Sequence, residues 1–185
     1  MKKIIVYKLT DNVGQTKGDT QWGKNISHTA KGNSKKLCSN GFIHYYTNPL
    51  LAVLLNPIHA DFKSPKLWEA EASGEIINKP LKSGCKTLTT IREIPLPKIS
   101  RVQRVAFGIL CTKEVCKNEV WNKWADKWLS GEDRSNESAN AADYANAASY
   151  DAYAADYAAA DAADAADANK SINFIALAEK AMTYK

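Results

Sequence analysis

The period of the chain changes once, between Ile94 and Arg101, and this change limits the fold more than any single motif does. Ahead of it, "KLWEAEASGEIIN" (66–78) alternates with period two. Trp68, Ala70 and Ala72 share one face, and Glu69, Glu71 and Ser73 share the other. "KKIIVYKLT" (2–10), "GFIHYYT" (41–47) and "CKTLTTIREIPL" (85–96) are β-branched and aromatic and read as further strands. Pro95 and Pro97 stop the last of them. Beyond, Ser100 and Gln103 stand at capping-box spacing, and "RVQRVAFGILCTKEVC" opens a helix. It continues through "NEVWNKWADKWLSG" (118–131), where Trp121, Trp124 and Trp128 recur at helical spacing and Gly131 signals the stop. Strands followed by helices are the order of an α+β fold. The expectation is a small mixed or antiparallel sheet from residues 1–97, packed on the helices of 100–130, in a core domain of residues 1–131.

Shorter signals fill in this frame. Asn48 and Pro49 suit the cap and first position of a short helix, "PLLAVLLN". Residues 11–40 are rich in Gly, Asn, Ser, Thr and Lys, and read as loops with one short strand near Gln21–Ser27. Residues 132–185 are expected to form a helical appendage. From Ala139 to Ala168, 17 residues are Ala, the best intrinsic helix former, with Tyr150, Tyr153 and Tyr157 on one face. A final amphipathic helix, "SINFIALAEKAMTYK", is expected to be capped by Ser171. Ala-rich helices allow close backbone approach, so a homodimer through them is one structural reading of this chain.

Charge divides the chain. Residues 1–130 carry 21 Lys and Arg against 10 Asp and Glu, whereas residues 131–169 carry one Arg against nine acids. A basic body beside an acidic segment either binds an anionic partner or attracts itself. No run approaches the roughly 18 apolar residues of a membrane span, and the Met-Lys-Lys opening lacks an apolar core for a secretion signal. The expected setting is the cytoplasm, with no membrane partner and with Cys38, Cys85, Cys111 and Cys116 reduced.

Several residues carry candidate chemistry. Cys38, His44, His59 and Cys85 are metal-ligand types, but zinc sites come as short paired spacings that are not found here, so no metal and no cofactor is expected. His44 and His59 can each be site residues or core residues bonded to backbone. Glu69 and Glu71, two apart on one strand, share a face and are candidates for an acid/base pair; the plainer reading is a solvated strand face. Lys113 and Lys117, with Lys123, Lys127 and the tryptophans, are the residue types of a nucleic-acid surface, although the spacing favours an apolar Trp stripe with lysines outward. No Gly-rich phosphate loop and no G-x-S-x-G motif is present.

The pattern of Cys38, Gly41, Phe42, His44, Asn48, Pro49, Glu71, Ala72 and Gly74 resembles an uncharacterised domain of bacteria and their phages, found at the start of pentapeptide-repeat proteins. The longer run from "LLAVLLNPIHADF" to "WADKWLSGEDRS" resembles phage and prophage accessory proteins with Ala-rich C-termini. This resemblance implies a phage or prophage accessory gene and carries no activity of its own. Taken with the polarised charge and the lack of a strong catalytic motif, it leads to the expectation of a non-enzymatic binding protein that docks on a host protein or ribonucleoprotein complex, as an inhibitor of a defence system of the anti-CRISPR or anti-restriction type. In that reading the basic body occupies a nucleic-acid path, or the acidic helix, through Asp156, Asp161 and Asp164, imitates nucleic acid. The order of elements is also similar to small ADP-ribosyltransferase-like domains, which implies NAD held near Tyr7, His44, Tyr45 and Glu69 or Glu71.

Overall fold

The computed structural model describes residues 4–138 and 172–185. The chain divides into two compact units, one running to Lys98 and the other from Ile99. Both helices and antiparallel strands are present, in the α+β class that the sequence leads one to expect.

In the first unit, β1 (Ile4–Thr10), β2 (Gln15–Thr16), β3 (Thr20–Gln21), β4 (Ser27–Thr29) and β5 (Ile43–Tyr45) come before two short helices, α1 (Pro49–Leu54) and α2 (Asn56–His59). Two long strands, β6 (Lys66–Ile77) and β7 (Ser83–Ile94), follow. The main sheet runs β1-β6-β7-β4, with β5 also on β7, and every pair is antiparallel. β2 and β3 form a separate small hairpin. Residues 11–40 therefore hold three short strands, more than the single strand expected near Gln21–Ser27. None exceeds three residues, too short to show a period.

The alternation of β6 is realised. Trp68, Ala70 and Ala72 are buried, while Glu69, Glu71 and Ser73 are half-buried on the other face. Ala70 and Ala72 are small for a reason: they share a core cluster with Trp22, Tyr45, Val6, Cys85 and Leu88, and the two large rings need that room. Asn48 caps α1 by accepting the Leu50 N–H at 2.8 Å, with Pro49 in the first turn, and Leu51, Ala52, Val53 and Leu54 are all buried. α1 lies against β1.

The β6–β7 pairing shifts register twice, between Glu69 and Ala70 and between Ser73 and Ile76. Gly74 sits in the second shift at φ +80°, and a Cβ there would meet the Lys86 Cβ at 2.9 Å. Gly41 is held by crowding, since a Cβ on it would lie 2.0 Å from the Ser34 carbonyl oxygen. Two glycines of the quoted pattern are thus fixed by backbone geometry.

The second unit begins with α3 (Arg101–Lys113), whose capping box is formed as expected: Ser100 accepts from the Gln103 N–H and Gln103 accepts from the Ser100 N–H. α3 ends at Lys113, and α4 (Glu119–Ser130) starts afresh. Asn118 caps it by accepting the Val120 and Trp121 N–H groups. The expected single continuation is thus two helices, because Asn118 competes for the backbone donors of the new turn. Gly131 ends α4 in the left-handed region. Trp121, Trp124 and Trp128 are buried. α5 (Phe174–Ala181) is capped by Asn173, whose side chain accepts the Ala176 N–H; Ser171 lies outside the described residues. α5 lies against α3, and Gln103 donates to the Met182 carbonyl at 3.0 Å. This contact places α5 in one unit with α3 and α4, whereas the sequence reading drew the boundary after Gly131. The Ala-rich run, its tyrosines, and Asp156, Asp161 and Asp164 lie outside the described residues.

Gly74→Ala combines positive-φ strain with a close contact to β7. It should cost about 1–3 kcal/mol of unfolding free energy. Urea unfolding monitored by tryptophan fluorescence measures this, and an unchanged midpoint would contradict the assigned register shift.

Candidate functional site

The hydrogen bonds that close the first unit also build its main concavity. Tyr7 and Tyr46 exchange two backbone hydrogen bonds, each 2.8 Å long, so the segment after β5 is laced to β1. Lys8 follows Tyr7 and faces the opposite side of the sheet, on the face of Val6 and Thr10. Its ammonium donates to the His44 carbonyl at 2.9 Å and lies 5.1 Å from the centre of the Trp22 ring.

A cleft of about 960 Å³ opens beside Lys8. Its lining comes from β1, the β2–β3 hairpin, residues 28–31, residues 38–46, α2 with Phe62, and Lys82 ahead of β7. Lys8, Lys17, Lys31 and Lys82 line it, and among the described residues of the lining Asp19 is the only acid. Among the described residues, none of these four lysines forms an ion pair, whereas Lys35, Lys63 and Arg92 elsewhere in the unit do.

All three histidines of the chain line this cleft, and the carbonyl partners of two of them place their ring hydrogens. His28 Nε2 lies 2.7 Å from the Gln21 carbonyl, and His44 Nε2 lies 2.6 Å from the Leu37 carbonyl. A carbonyl only accepts, so both Nε2 atoms carry hydrogen. His59 Nδ1 is 3.1 Å from the Tyr46 hydroxyl, and the two rings stack at 5.8 Å. A hydroxyl both donates and accepts, so this bond fits either tautomer of His59.

Burial sets the charge states. It draws the Lys8 ammonium down from the ordinary lysine value of 10.5 to about 8. Burial also lowers His59, to about 4, aided by the positive charge of Lys82 and, once it is protonated, that of His44. His44 is lowered mainly by burial, against the opposing pull of its bond to Leu37. Tyr46 is raised by burial and stays a neutral hydroxyl. At neutral pH the inner wall thus presents charged lysine beside neutral imidazoles. Holding Lys8 charged in this setting costs roughly 3 kcal/mol. Among the described residues no carboxylate pairs with it to offset that cost.

The cleft gathers some of the sequence candidates and leaves others apart. His44 and His59 line it together. Tyr45 is fully buried in the core cluster, where burial raises its hydroxyl and Ser83 is the polar group beside it. Tyr7 contributes its backbone to the bridge with Tyr46. Glu69 and Glu71 do not line the cleft. Glu69 is held by Arg92 through two hydrogen bonds of 3.2 and 2.9 Å, which keep its carboxyl below the usual range. The arrangement expected from the ADP-ribosyltransferase-like resemblance, a glutamate sharing a pocket with His44, is therefore not formed. Cys85 is in the core with its thiol pushed up to about 11 by burial, and Cys38 is exposed at the cleft, so the four Cys and His residues do not converge. Lys113 belongs to the second unit and pairs with Asp126; Lys117 is exposed there. Lys8, Tyr46 and Lys82 were missed in the sequence. Lys8 had one available signal, a cation on the inward face of a strand.

No family of known proteins, no curated protein and no solved structure matches the chain. No helix among the described residues is long and apolar enough to cross a membrane.

Two measurements test this electrostatic picture. Between pH 6.5 and 4 the unfolded chain takes up a proton at His59 that the folded chain refuses, so stability falls on acidification. His59→Phe should flatten that part of a stability-against-pH curve; an unchanged curve would contradict the buried neutral imidazole. At the alkaline end, the Lys8 penalty is full below pH 8 and fades toward 10.5. Lys8→Met should raise the unfolding free energy at pH 7 by about 1–3 kcal/mol.

Proposed function

We propose that this chain is a non-enzymatic binding protein of the phage-accessory kind, which docks on a nucleic-acid-bearing complex of a bacterial host through its first unit. The observation that carries this reading is the set of four cleft lysines without ion pairs, one of them buried. A cation kept charged at a cost to stability, with no carboxylate among the described residues to meet it, is poised for an anion. The rest of the unit agrees in sign. Up to Lys98 there are 15 Lys and Arg against 7 Asp and Glu, a net +8. Phosphate is the most abundant polymeric anion in a cell, and lysines that line a groove beside aromatic side chains suit a single strand better than a duplex. An occupied nucleic-acid path is one way in which such a protein would disable a defence complex.

The enzymatic alternative draws no support from the separated Glu69 and Glu71. The helix-pairing and nucleic-acid-mimic readings rest on residues outside those described.

The test is fluorescence anisotropy with a labelled single-stranded RNA over a range of salt. Each phosphate neutralised contributes a slope of about −0.7 in log affinity against log salt. The Lys17→Ala, Lys31→Ala double variant should therefore lose up to about 1.4 of slope. Absence of RNA binding at low salt, or a slope that ignores the double substitution, would sink the reading.

A further inference from the structure

The cleft is graded from mouth to floor. Lys17 and Lys31 are exposed at its mouth. Toward the floor, Lys82, His44 and His59 are partly buried, while Lys8, Tyr46, Trp22 and Phe42 are buried. A strand passing through a groove needs an exit as well as an entrance. Lys8 and Tyr46 are buried where Lys17 and Lys31 are exposed, a gradient that suits the end of a chain better than a strand passing through.

The donors at the floor match one chemical group. Lys8 spends one N–H on the His44 carbonyl, which leaves two of its three donors. The Tyr46 hydroxyl occupies His59 Nδ1, which leaves Nε2 as the ring atom open to a ligand, a donor to an anion when it carries hydrogen. Lys82 adds a second cation, near enough to depress both His44 and His59. Two cations and an imidazole N–H suit a phosphomonoester, which carries about 1.5–2 negative charges at neutral pH, where an internal diester carries one. The cavity, at about 960 Å³, is at the upper end of the range for small-ligand sites, so it takes a whole terminal nucleotide with its phosphate.

We infer that the floor of the cleft, formed by Lys8, Lys82, His59 and Tyr46, is a phosphomonoester subsite that captures the phosphorylated end of a single-stranded nucleic acid. This rests on the nucleic-acid reading above and specifies which part of the strand is held. Mouth lysines steer the backbone, and the floor selects the terminus.

The experiment compares RNAs of one sequence ending in a phosphate or a hydroxyl, at the 5′ and then the 3′ end, by anisotropy on the full chain. Phosphorylation at one of the two ends should tighten binding by about tenfold at moderate salt, as charge-assisted bonds do. Lys82→Ala should erase the difference between the two termini, whereas Lys31→Ala should weaken both strands by the same factor. Lys82 is only partly buried, so its loss keeps the test open if Lys8→Met perturbs folding. Equal affinity for both termini, with RNA binding intact, overturns this inference and leaves the broader reading standing. A Lys82→Ala variant that weakens both termini equally also overturns it. Failure to bind any RNA overturns both.

Discussion

Two backbone hydrogen bonds between Tyr7 and Tyr46 hold together everything described for the first unit. β5 pairs with β7, at the far side of the sheet from β1, and the chain then returns to β1 at a single residue. The sheet curls as a result. That curl brings the His44 carbonyl to the Lys8 ammonium, Tyr46 to His59, and the segment before β5 into the wall of the cleft. Buried backbone groups must be paired, so the exchange is also difficult to undo: opening it would strand two donors and two acceptors beside the core. Trp22 and Tyr45 pack under this arrangement against Ala70 and Ala72. The size of those alanines and the position of the return strand are one constraint seen from two sides.

The electrostatics of the unit set two groups of its cations apart. Lys35, Lys63 and Arg92 sit with carboxylates on the exposed surface, where pairs are worth little. Lys8, Lys17, Lys31 and Lys82 share a concave wall with a single acid and no ion pair among the described residues. Concave, partly dry surroundings amplify a potential that water would screen on a convex face. The roughly 3 kcal/mol given up at Lys8 is a sizeable share of the about 5–15 kcal/mol by which domains stay folded.

The fold was legible in the sequence where the pattern was long. The twelve-residue β6 shows its alternation plainly, and Ser100–Gln103 and Asn48–Pro49 mark helix starts through local hydrogen bonds. Short elements were not legible. β2, β3 and β4 have two or three residues each, and they exist because Trp22 is anchored in a core that forms from distant strands. The site was partly legible. His44 and His59 stood out by residue type, but Lys8 was hidden because a lysine in a strand ordinarily faces water. Glu69 and Glu71 misled for a related reason: a shared strand face says nothing of what lies over it, and what lies beside Glu69 is Arg92. The Trp stripe was read correctly as buried, since helical spacing of large rings encodes burial directly.

The outer side of β7 carries two separate three-residue strands, β5 and β4, and a break in the chain's pairing lies between them. At the opposite margin, Tyr46 takes up the hydrogen bonds of β1 at its middle residue. Neither border of the sheet therefore presents a long unbroken row of free amide groups. A second polypeptide in extended form finds no template on which to add itself, so the unit can carry two long hydrophobic strands without inviting edge-to-edge aggregation.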